Sequence, residues 1–314
     1  MNRDFVKDAL VGVAAGDAIG VPVEFRSRQE LEAQPVTNMR EYGSHHQPAG
    51  TWSDDSSMTF CLAEMLCDKY DLQGLANRFI NWMRHSWWTP HGVVFDMGIA
   101  TSAAITRLER GVEPVMAGGS SIDSNGNGSL MRILPLLFYT RDMNIDRRFL
   151  IAKDVSSLTH RHIRSALSCF IYLELALEIQ AGQEKQAAYR TVCSRIKTFL
   201  DETATCTQEE AAHFERILSG EIQKVEQDEI QSSGYVIHTL EASIWCLLNT
   251  GNYADAVLKA VNLGSDTDTT GAVTGGLAGL LYGWETIPLE WVDSLARIED
   301  IRDLSSRLSN KLGA

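Results

Sequence analysis

Residues 161–180, RHIRSALSCFIYLELALEIQ, decide the fold class. Ile163, Ala166, Leu167, Phe170, Ile171, Leu173, Ala176 and Leu177 recur at helical spacing and cover most of the helix circumference. A helix apolar on so many sides belongs at the centre of a helical protein, because a surface helix keeps one polar face. Outward from it, runs at 4–15, 57–69, 72–85, 97–110, 130–139, 147–158, 185–200, 235–249, 253–263 and 270–282 repeat the 3.6-residue period. Strand-like alternation is nearly absent, and the stretch 21–50, with Pro22, Pro35 and Pro48, is expected to be mostly loop. The reading is an all-α protein with no internal repeat of fixed length.

Composition narrows the functional classes. The 314 residues are 44% hydrophobic and 22% charged, which is globular rather than disordered or fibrous. With 28 Lys plus Arg against 41 Asp plus Glu, the net charge of −13 repels nucleic-acid phosphates and anionic lipid, and no basic patch offsets it. Neither a nucleic acid nor a membrane is expected as partner, and oligomeric state is left open. The longest apolar stretch, 271–284, is Gly-rich and shorter than the ~20 residues that span a bilayer. The leading segment MNRDFVKD lacks net positive charge, and Asp17 interrupts the mildly apolar run beyond it, so secretion is not expected. Six cysteines (Cys61, Cys67, Cys169, Cys193, Cys206, Cys246) form no C-x-x-C pair and read as buried thiols of a reducing cytoplasm. Segment 181–234, richer in Gln, Glu, Lys and Thr, reads as a peripheral helical insertion in one domain spanning 1–314.

Polar residues gather in four short loops beside these helices. GTWSDDSSM (50–58) and GSDTDTTG (264–271) each set two acids and several hydroxyls before an apolar helix. Each loop alone also reads as a helix cap, since Asp and Ser accept from free amides and suit the positive end of the helix dipole. Together, Asp54, Asp55, Asp266 and Asp268, with the hydroxyls of Ser53 and Thr269, make an all-oxygen set that suits Mg²⁺ or Mn²⁺ rather than zinc. Four converging acids would repel one another, and a pair of divalent ions is the simplest compensation. In the third loop, Asn125 to Arg132, Asn and Gly run into an expected helix and offer backbone N–H groups for a pyrophosphate, although such loops are also common turns. The fourth, GDAIGVPVEF (16–25), reads as a glycine helix end with Glu24 in the loop beyond. Asp96 stands at another helix start and His160 at a helix junction, where a cap and a structural imidazole are the plainer readings. Trp52, Trp87 and Trp88 read as core more than as base-stacking platforms.

Six motifs in fixed order, GDAIGVPVEF, GTWSDDSSMT, FDMG, GNGSLMR, LTH and GSDTDTTGAVTGGLAG, resemble those of the ADP-ribosylglycohydrolase family over roughly residues 5–284. The resemblance implies a single compact orthogonal helical array and a binuclear Mg²⁺ or Mn²⁺ centre that hydrolyses the glycosidic bond between ADP-ribose and its attached group. Carried across, it makes Asp54, Asp55, Asp266, Asp268 and Thr269 metal ligands, with Ser53 where the family usually has Thr. Glu24 matches a mobile acid near the metals, Asp96 an acid facing the ribose, Asn127, Gly128 and Ser129 a phosphate-lining loop, and His160 a position near the substrate. It points to an ADP-ribosylated protein, modified on arginine, as substrate. Serine-linked or small-molecule conjugates, a non-catalytic ADP-ribose-binding member and a nucleotide pyrophosphohydrolase remain alternatives. The general base stays open among Asp55, Glu24 and Asp266.

Overall fold

The computed structural model describes residues 3–313, so Met1 and Asn2 of the leading segment lie outside them. Helices α1 (Phe5–Gly20), α2 (Arg28–Ala33), α3 (Asp54–Asp68), α4 (Leu72–His85) and α5 (Ile99–Glu109) come first. Then follow α6 (Pro114–Ala117), α7 (Leu136–Thr140), α8 (Ile145–Ser157), α9 (Ile163–Gln180), α10 (Lys185–Glu202) and α11 (Gln208–Ala212). The chain closes with α12 (Val236–Leu248), α13 (Tyr253–Val261), α14 (Thr267–Tyr282), α15 (Leu289–Ser294) and α16 (Ile298–Leu312). Among the described residues there is no β-strand, only the isolated bridges Gly119–His160 and Gly126–Tyr235. The all-α expectation holds, and no described helix is long and apolar enough to cross a membrane.

Helix α9 is buried from Arg164 almost to its end, in contact with α8, α10, α12 and α14. The most intimate pair is α1 with α14, where glycines let the two backbones touch. A Cβ on Gly12 would collide with the Gly275 carbonyl, and one on Gly16 with the Gly271 carbonyl. The glycines of 16–20 therefore do not end α1 as expected. The helix runs through Gly16 to Gly20 because its bare face is filled by another backbone.

The helix expected over 130–139 is also corrected. Residues 126–135 are turns, and helix begins only at Leu136, after Pro135. The apolar run in between is buried as core rather than as a helix face, and proline denies the helix an internal N–H. Helices α15 and α16 lie beyond the expected set. Ile301, Leu304 and Leu308 bury one stripe of α16, whose outer face carries the Arg302–Glu299 and Arg307–Asp303 ion pairs. In segment 181–234, α10 buries Ala188, Tyr189, Val192 and Ile196, and Gly234 at the end of the segment reaches the polar loops that carry the acids. All six cysteines are free thiols, four of them buried.

Candidate functional site

The starts of α3 and α14 meet. The Asp17, Asp55 and Asp268 carboxylates each bring an oxygen within 4.8 Å of the others, and so do those of Glu24, Asp266 and Asp268. None of the four expected acids supplies the main cap of its helix. Ser53 caps α3, and its amide, with the Ser56 amide and hydroxyl, donates to Asp17, which reaches across from α1 at 2.6–3.0 Å. Asp266 stands at the N-cap of α14 without capping it; its Oδ2 accepts from Asn127 Nδ2 at 2.8 Å. Only Asp268 takes a local amide, that of Thr269, through Oδ1. Asp55 Oδ2 accepts from the hydroxyls of Ser53 at 3.0 Å and Thr269 at 3.4 Å.

Asp55 Oδ1 and Asp268 Oδ2 are buried and accept no hydrogen bond. A buried carboxylate oxygen without a donor costs on the order of several kcal/mol unless a charge compensates it. Burial and neighbouring carboxylates raise Asp54, Asp55 and Asp268 well above the ordinary carboxylate range. Burial likewise pushes Asp17 up to about 6, against its hydrogen bonds, and Glu24 up to about 7. Orphaned oxygens, mutual repulsion and an all-oxygen donor set together fit divalent cations at this place.

Above the acids opens a cleft of about 410 Å³, lined among others by Glu24, Asp54, Asp96, Asn127, Gly128, His160, Asp266 and Thr269. Ser53, Asp55 and Asp268 lie beneath its floor, all but inaccessible. The Ser129 side chain turns the other way and accepts from the Ser156 hydroxyl at 2.9 Å in the core. Trp52 and Trp88 are core residues, and Trp87 donates to Glu64; none lines the cleft. Three residues of the rim, Phe25, Asp96 and Ser265, take left-handed backbone (φ 66°, 48° and 64°). For Phe25 this conformation is held by a pair of backbone bonds, its own N–H to the Ser265 carbonyl and the Ser265 N–H to the Arg26 carbonyl, both 2.7 Å. These bonds tie the loop of Glu24 to the loop of Asp266.

Residues 2–314 match the family model for ADP-ribosylglycohydrolase. The chain belongs to the ADP-ribosylglycohydrolase family. It is 34% identical over 312 residues to the ADP-ribosylarginine hydrolase Tri1 of Serratia proteamaculans, covering 98% of this chain and 79% of that one. It is 27% identical to the ADP-ribosyl-[dinitrogen reductase] glycohydrolase of Rhodospirillum rubrum, covering 93% and 90%. A solved structure titled ADP-ribosylglycohydrolase-related protein complex superposes with a TM-score of 0.79 at 26% identity, covering 98% of each chain.

In this glycohydrolase the Asn125 to Arg132 loop precedes no helix, contrary to expectation, so no helix dipole acts there. The loop is held instead from several sides. The Asn127 N–H donates to the Gly234 carbonyl at 3.0 Å, and buried Arg132 donates from below to the Gly128 carbonyl. The His160 ring packs directly against Gly126 and Gly128, where any Cβ would crowd it. Burial, helped by Arg132, pushes His160 down to about 3, so its imidazole is neutral, with Nδ1 paired to Thr159 Oγ1 at 2.8 Å. Sequence reasoning missed Asp17 and His45. Asp17 stands inside the motif GDAIGVPVEF, and its isolation in an apolar helix was the available signal; His45, bonded to Glu24, had none.

Proposed function

We propose that this glycohydrolase releases ADP-ribose from arginine side chains of modified proteins, using two divalent cations, Mg²⁺ or Mn²⁺. Ser53, Asp54, Asp55, Asp266, Asp268 and Thr269 are the residues that would hold the cations. The observation that carries this reading is the meeting of the α3 and α14 starts, whose acids leave Asp55 Oδ1 and Asp268 Oδ2 without donors. Bound there, the cations supply Lewis-acid polarisation and neutralise the acids.

The chain's own residues do the rest. Asp96, on the rim, accepts from a ribose hydroxyl, and Asn127 and Gly128 face the pyrophosphate across the cleft. The neutral His160 imidazole offers a hydrogen bond without adding charge. As the bond between the anomeric carbon and the arginine nitrogen breaks, its electron pair leaves with the nitrogen as neutral guanidine, which then takes up the proton released by the attacking water, while the positive charge that develops on the ribose is stabilised by the surrounding carboxylates. Glu24 lines the cleft whereas Asp55 lies beneath it, and Asp266, which also lines it, is assigned to the cations and accepts from Asn127, so Glu24 takes the proton from the attacking water. The reading includes one domain over 1–314 with 181–234 as an insertion, and the cytoplasm, where six free thiols stay reduced, as the place of action.

The test is release of ADP-ribose, by chromatography with mass detection, from arginine-modified protein and serine-modified peptide, with and without Mg²⁺ or Mn²⁺. Metal-dependent release from the arginine substrate is expected. Release from serine alone would overturn the linkage, AMP as product would overturn the bond assignment, and ADP-ribose binding without turnover would make the protein a binder.

A further inference from the structure

A turn outside the cleft grips the segment that carries Glu24. Gly43 packs so tightly on Pro22 that a Cβ there would collide with the Pro22 carbonyl. The Ser44 N–H donates to that carbonyl at 3.0 Å, and the Ser44 hydroxyl donates to the Glu24 carbonyl at 2.6 Å. The next residue, His45, hydrogen-bonds through Nε2 to Glu24 Oε2. Three consecutive residues thus hold Pro22 to Glu24, and the last of them holds the carboxylate itself.

Glu24 has need of such a tie. Its carboxylate is buried near those of Asp96 and Asp266, and like charges at this range push a side chain toward water. Among the described residues, the bond from His45 is the only hydrogen bond the Glu24 carboxylate accepts. The His45 ring is itself set between two aromatic rings, with centroids 5.8 Å from Phe25 and 5.3 Å from Phe95. It therefore joins the loop of Glu24 to the loop of Asp96 across the mouth.

We propose that His45 is a positioning residue, whose hydrogen bond keeps the Glu24 carboxylate turned into the cleft where the hydrolysis needs it. This rests on the hydrolase reading of the same site. A ring that served only to pack the mouth would be replaced by phenylalanine without loss, whereas glutamine keeps an N–H near the place of Nε2 and loses the ring.

The experiment compares His45→Phe, His45→Gln and His45→Ala with the wild type in steady-state release of ADP-ribose from arginine-modified protein. Phe and Ala should lower kcat by about ten- to a hundredfold with KM within about twofold, and Gln should stay within about threefold of wild type. Full kcat in Phe and Ala, equal loss in Phe and Gln, or a change confined to KM would each overturn the proposal. Should the wild type release nothing, the hydrolase reading fails by itself, and crystal structures of wild type and His45→Ala then judge His45 separately. A Glu24 carboxylate turned away from the cleft in the variant supports its positioning role; an unmoved carboxylate overturns it.

Discussion

The α1–α14 seam and the mouth of the cleft serve one site on opposite terms. Along the seam, Gly12 and Gly16 meet Gly275 and Gly271 backbone to backbone, and Asp17, Asp268 and Thr269 ride on those same two helices. Carboxylates attached to touching backbones have little room to move, which is what a cation needs from its ligands. At the mouth, by contrast, Phe25 is 72% and Ile99 90% exposed, and the stretch 93–98 is not helical. Its shape rests on side chains and a few loop hydrogen bonds. Asp17 and Asp268 are thus held by the part of the molecule that tolerates least, and the proposed substrate site opens through the part that tolerates most.

The difference can be broken in four places. Asp54→Asn or Asp266→Asn should leave the helical circular dichroism intact yet remove the several kcal/mol a bound cation contributes to the transition state, about a thousandfold in rate. Full turnover in either variant would sink the metal assignment. Gly16→Ala forces a methyl into the Gly271 carbonyl and should destabilise by about 3 kcal/mol, read as a fall in urea midpoint. An unchanged midpoint would mean the seam is looser than its geometry.

Cation binding should itself stabilise the fold, by about 2.7 kcal/mol at a hundredfold excess over Kd. Its pH dependence has a definite sign. Burial pushes Asp17 up from 3.8 to about 6 and Glu24 up from 4.5 to about 7 in the metal-free protein. An acid whose folded pKa is raised contributes its full stability below the unfolded pKa and loses it as pH rises through the folded one. The chelated protein should therefore lose stability from about pH 4 to pH 7, while saturating Mg²⁺ or Mn²⁺ offsets that loss. A melting-temperature gap between loaded and chelated samples that narrows toward neutral pH would contradict this. Smallest of all, Ile99→Ser at the mouth should change stability by no more than about 0.5 kcal/mol while raising KM modestly. A cost like that of Gly16→Ala would erase the contrast between the two regions.

The reading of the chain succeeded where the signal was local and failed where it was not. Period 3.6 marked α3, α4, α9 and α12 closely because the apolar residues each helix buries, on one stripe in α4 and on nearly every side in the others, lie within a few positions of one another. It misread 130–139, where apolar residues are buried in turns, and stopped short of α16, whose stripe is thin and whose face is mostly charged. It ended α1 at its glycines because a glycine looks like a helix end until the partner backbone that fills its bare side is known.

By itself, the sequence determined the helical class and the family and singled out the acids and hydroxyls proposed for the chemistry, because capping residues, glycines and periodicity are written within a few positions of one another. Only the tertiary structure decided that neither acid pair supplies the main cap of its helix, since Ser53 caps α3 and Asp17, from another helix, takes the amides of Ser53 and Ser56. It also decided that Ser129 faces the core and that Glu24 is held by a histidine 21 residues away. These are matters of which surfaces meet, and hydrogen bonds between distant segments leave no period in the chain that makes them.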